Sequence, residues 1–101
     1  MRNVTVAAVQ MKVSQDRTEA LENAEKFVRA AAEKGADIVL LQELFETPYF
    51  CQIHDFDSMM ISTPLEENRA VLLMQKLAKE LHVVIPVSFY EKCNNTAFNT
   101  I

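Results

Sequence analysis

Glu43 is the residue best placed for chemistry. It lies just past the apolar run Ile38-Val39-Leu40-Leu41, with only Gln42 between. A short unbroken apolar run fits a strand buried on both faces, as in a parallel sheet under helices. Open α/β sheets bind their ligands beyond the carboxyl ends of such strands. Flanked by Leu41 and Leu44, the carboxylate is expected to be partly desolvated, which disfavours its charged form and makes it a stronger base. A helix cap or a solvent-facing glutamate is the structural alternative, since many perturbed carboxylates are structural.

The other chemically capable groups are weaker candidates. Cys51 and His54 make Cys-x-x-His, with Asp55 and Asp57 nearby. A structural zinc site wants four ligands, usually as two pairs. His82 stands alone, so no second pair exists and no metal is expected. His82 is expected at a helix end, where a histidine complements the dipole. Cys51 reads as a small, half-buried thiol rather than a nucleophile.

The scaffold follows from periodicity. Residues 4–10, VTVAAVQ, read as a strand. Asp16 then fits an N-cap, with Glu19 positioned to complete a capping box. Ala20, Leu21, Ala24, Phe27, Val28, Ala31 and Ala32 recur at helical spacing, and Gly35 suits a left-handed C-terminal cap. Strand, helix and the run at 38–41 form a right-handed βαβ unit. Residues 46–62 show no clear periodicity, and a stretch so long suggests a lid, a binding loop or an interface. Thr63-Pro64-Leu65-Glu66 predicts a helix start, with Thr63 as cap and Glu66 completing its box. Val71, Met74, Leu77, Ala78 and Leu81 give that helix its apolar face. Residues 83–90 predict a third strand, in which Pro86 suggests an edge or a bulge. A turn is expected at 92–95 and a fourth strand over 96–101. The chain stops inside that strand, the ending expected of a truncated domain.

Composition narrows the function classes. Half of the 101 residues are hydrophobic and 24% are charged, the balance of a globular chain. The formal charge is −4 and the basic residues are scattered, so no nucleic-acid surface stands out. No run reaches membrane-spanning length, and the start lacks the features of a signal peptide. The two cysteines form no CxxC pair, which fits thiols in a reducing cytosol. With one glycine, Gly35, the chain has no phosphate-cradling loop. No cofactor is expected.

The string LLQELFETPYFCQ, residues 40–52, resembles the glutamate motif of nitrilase-superfamily carbon–nitrogen hydrolases. Within that family it is most similar to the branch acting on N-carbamoylputrescine. The opening VTVAAVQM, the turn KGADIV at 34–39, the segment PVSFYEK at 86–92 and Asn99-Thr100 resemble other family segments in the same order. The resemblance implies a four-layer α-β-β-α sandwich, of which residues 1–101 are the N-terminal part of one domain. It implies hydrolysis of non-peptide C–N bonds by a Glu-Lys-Cys triad. Glu43 matches the general base, and Gln42 stands where many branches have proline. Tyr49 matches a pocket tyrosine, whose hydroxyl would orient a carbamoyl-amine substrate and whose ring would meet its cationic tail. Lys92 and Cys93 match neither remaining motif, so this chain alone is expected to be inactive. A cytoplasmic homo-oligomer, with a small-molecule substrate and neither nucleic-acid nor membrane partners, is also implied. A branch acting on carbamoyl-β-alanine or ω-amides is the nearest alternative. A non-catalytic interaction module is the alternative of a different class.

Overall fold

The computed structural model describes residues 1–52 and 56–101. Strand β1 (Val6–Ala8) leads to helix α1 (Arg17–Glu33), and strand β2 (Ile38–Leu40) follows. Two short 3-10 turns, Phe56–Ile61 and Leu65–Glu67, precede helix α2 (Arg69–Leu81). Strands β3 (Phe89–Cys93) and β4 (Thr96–Thr100) complete the order.

Helix α1 begins and ends where its capping residues dictate. The Asp16 carboxylate accepts from the Glu19 N–H at 3.1 Å. Glu19 does not return the bond directly. Ser14 Oγ stands between them, accepting from the Asp16 N–H at 3.0 Å and donating to Glu19 Oε2 at 2.7 Å. At the other end Gly35 adopts φ 88°, a backbone that costs glycine no Cβ clash. The Gly35 and Ala36 N–H groups donate to the Ala32 and Ala31 carbonyls, closing the last turn as a Schellman motif.

The expected start of the second helix is corrected. Thr63 is not its cap, and Glu66 lies in a separate 3-10 turn. Thr63 is instead extended, donating to the Tyr90 carbonyl and accepting from the Lys92 N–H. Asn68 caps α2, its Oδ1 accepting from the Val71 N–H at 2.9 Å. His82 ends α2 in the left-handed region at φ 55°.

The expected third strand divides in two. Val84 bridges β2 in parallel, with Val39 N–H on the Val84 carbonyl and Val84 N–H on the Asp37 carbonyl. Pro86, which has no N–H to donate, interrupts the ladder. The chain then enters β3, which pairs antiparallel with β4 from Phe89↔Thr100 to Cys93↔Thr96. Asn94, at φ 55°, forms the tight turn between them.

The core lies on one side of the β1–β2 sheet. Val39 and Val83 cluster with Leu21, Ala24 and Val28 of α1 and with Met74 and Leu77 of α2. Phe27, expected on this face, is exposed. The expectation that the Ile38–Leu41 run is buried on both faces is also corrected. Val6, Ile38 and Val84 stand side by side on the opposite face. There Val6 is 62%, Leu40 43% and Val84 61% exposed, because no described element covers that side. Among the described residues, no helix is long and apolar enough to cross a membrane.

Candidate active site

The chain turns sharply as it leaves β2, and hydrogen bonds fix the turn on both sides. Gln42 Oε1 accepts from the Met11 N–H at 2.9 Å, tying the end of β2 to the chain beyond β1. Leu44 takes φ 51°, a region that a branched-chain residue enters only when its surroundings compel it. Its side chain is buried, and its N–H donates to Ser88 Oγ at 3.0 Å. With Leu44 pointing into the protein, Glu43 is turned outward beyond the carboxyl end of the strand. The position agrees with the sequence expectation; the environment does not. Glu43 is exposed rather than partly desolvated, because Leu41 and Leu44 are buried beneath it instead of flanking its carboxylate.

Downstream, the loop is locked into the protein by a buried polar network. Phe45 is fully buried, and Glu46 is buried with it. Glu46 Oε1 accepts from Asn68 Nδ2 at 2.8 Å, and the same nitrogen donates to Thr63 Oγ1 at 2.8 Å. Arg17 Nε lies 3.7 Å from Glu46 Oε2, an oxygen with no hydrogen-bond partner among the described residues. The Phe50 ring packs on Tyr90, with centroids 4.6 Å apart.

Glu43 and Tyr49 are thereby brought together. Tyr49 is exposed, and its phenol is held above its ordinary ionisation range. The first cause is hydrogen bonding with the Cys51 side chain, and the next is the negative charge of Glu43. Asn99 on β4 donates from Nδ2 to Glu43 Oε1. Leu40, Leu41, Ser88 and Asn99 line an open pocket with Glu43. Cys51 is exposed, not half-buried as expected, since the loop carries it outward past Phe50. Lys92 and Cys93 are consecutive at the turn end of β3. His54 and Asp55 lie outside the described residues. Among the described residues, no group of three or more His, Cys, Asp or Glu is arranged to hold a metal ion.

The family model for carbon-nitrogen hydrolases matches residues 5–101. The chain belongs to the carbon–nitrogen hydrolase family. An N-carbamoylputrescine amidase of Oryza sativa subsp. japonica is 48% identical over 98 residues, covering 97% of this chain and 33% of that protein. A citrullinase of Francisella tularensis is 33% identical over the whole chain and 35% of its own length. A carbon–nitrogen hydrolase structure from Helicobacter pylori superimposes with a TM-score of 0.83 at 22% identity, covering 95% of this chain and 33% of that one. That likeness shows a shared α/β fold. The chain therefore spans about a third of the length of the curated relatives it matches.

Several residues that build this candidate site were not named as site residues from the sequence. Asn99 and Ser88 reach the glutamate turn from 56 and 44 residues away. Glu46 and Asn68 anchor it from within. Glu46 carried a local signal, as a second glutamate within the motif at residues 40–52.

Proposed function

We propose that residues 1–101 form the N-terminal part of one carbon–nitrogen hydrolase domain that cleaves N-carbamoylputrescine, with Glu43 as its general base. The observation that supports this best is the outward presentation of Glu43 beside Tyr49, in a chain 48% identical to the rice amidase. The remainder of the enzyme supplies a lysine and a cysteine. Glu43 takes the thiol proton, since the thiolate is the nucleophile. The thiolate attacks the carbamoyl carbon, and charge builds on the carbonyl oxygen, where the lysine cation stabilises it. The C–N bond to the diamine breaks, the proton held by Glu43 passes to the leaving amine, and a carbamoyl thioester remains. Water, deprotonated by Glu43, releases the cysteine thiol and gives carbamic acid, which decomposes to ammonia and carbon dioxide.

Tyr49 contacts the substrate, its hydroxyl on the polar carbamoyl end or its ring on the ammonium tail. The uncovered apolar face of Val6, Leu40 and Val84 receives the second sheet of a four-layer α-β-β-α sandwich. Without the lysine and cysteine, the 101-residue chain releases no ammonia from N-carbamoylputrescine. The longer enzyme does so, and Glu43→Gln abolishes release. Turnover by the chain alone, or full activity of the Gln variant, overturns the reading.

A further inference from the structure

The hairpin of β3 and β4 offers one face to the glutamate turn. Residues alternate in direction along a strand, and Asn99 lies directly across from Tyr90. Tyr90 receives the Phe50 ring, and Asn99 donates to Glu43 Oε1. Just before β3, Ser88 accepts from the Leu44 N–H. Backbone, carboxylate and aromatic anchor of the turn are thus held by neighbouring positions of one ribbon. The ribbon itself is pinned across its other face, where Thr100 Oγ1 donates to Glu91 Oε1 at 2.9 Å.

We propose that Asn99 is a positioning residue for the base, holding Oε1 of Glu43 and leaving Oε2 as the oxygen that takes the proton. The inference rests on Glu43 being the general base. A glutamate side chain has several rotatable bonds, and an exposed one samples many rotamers. A carboxylate oxygen accepting from a fixed amide has far fewer. An amide is suited to this task because it donates without titrating, so it cannot compete with the carboxylate for the proton. Hydrogen bonds to ionised acceptors are also stronger than neutral ones. Both groups are exposed in this chain, so water competes for the contact.

The test is an NMR titration of the 101-residue chain, following the Glu43 carboxyl carbon and the Asn99 side-chain amide. The two signals are expected to move with one midpoint, and Glu43→Gln abolishes the amide response. An Asn99 amide that stays flat through the Glu43 titration overturns the proposal, and this reading needs no variant that folds. In the longer enzyme, Asn99→Ala lowers kcat about tenfold with KM little changed, the mark of an interaction used in the transition state. An unchanged kcat there also overturns it. Failure of the general-base reading is distinguishable, because it shows as ammonia release surviving Glu43→Gln whatever the Asn99 amide does.

Discussion

Asn68→Ala removes the contact on which the glutamate loop and helix α2 both depend. Asn68 is fully buried and makes each of its hydrogen bonds to a different part of the chain. Loss of an N-cap costs about 1 kcal/mol. Stripping the donor from a buried carboxylate costs about 1–3 kcal/mol more, because among the described residues Glu46 Oε2 has no hydrogen bond and only the longer ion pair with Arg17. Thr63 Oγ is only half-buried and can turn to water, so its contribution is small. The total is about 3 kcal/mol, a large share of the stability of a small domain. Urea denaturation followed by circular dichroism should show the midpoint falling by roughly 2 M at a slope of about 1.5 kcal/mol/M. Glu46→Gln in the same background tests the cause. The pair should couple by more than about 1 kcal/mol, since the amide no longer buries an under-satisfied charge. A loss below about 1 kcal/mol, or additive effects of the two changes, would refute the account of the network.

Three further outcomes follow from the same geometry. The folded chain holds the Tyr49 proton more tightly than the unfolded chain, so that contribution to stability is complete below the ordinary phenol value of 10.0 and is lost as pH rises through the raised one. Phenolate absorbance at 295 nm should show Tyr49 ionising above the ordinary phenol range, with Cys51→Ala lowering its midpoint more than Glu43→Gln does; the reverse order of the two variants would contradict the assigned causes. Gly35→Ala meets no atom within 4 Å, so its cost is that of the backbone at φ 88° alone, about 1 kcal/mol by denaturation. His82→Gly relieves the opposite situation at φ 55° and should stabilise the chain by about 0.5–1 kcal/mol, an effect absent if the imidazole packs or pairs at the helix end.

The parts of the fold that were legible in the sequence are those set by neighbouring residues. Asp16 and Gly35 bound α1 because capping is local. Glu43 was placed correctly because it follows a strand-like run, and the position of a strand end is also local. The start of α2 was misread for a long-range reason. Thr63-Pro64-Leu65-Glu66 has the composition of a capping box, but Thr63 is committed to the backbone of β3. Asn68 wins the cap because Glu46, 22 residues earlier, is buried against it. The run at 83–90 looked like one strand because its residues are mostly apolar, which conceals the change of partner at Pro86. The exposure of Glu43 and its pairing with Asn99 depend on how the hairpin docks, which no local pattern encodes.

We propose Glu43 as the base of a carbamoyl-amine hydrolase. The most direct measurement is ammonia release from N-carbamoylputrescine by the longer enzyme and by its Glu43→Gln variant, at matched folding judged by circular dichroism. The account predicts turnover in the first and a loss of at least about a hundredfold in the second, the usual share of a general base. A folded variant that keeps its activity would contradict it.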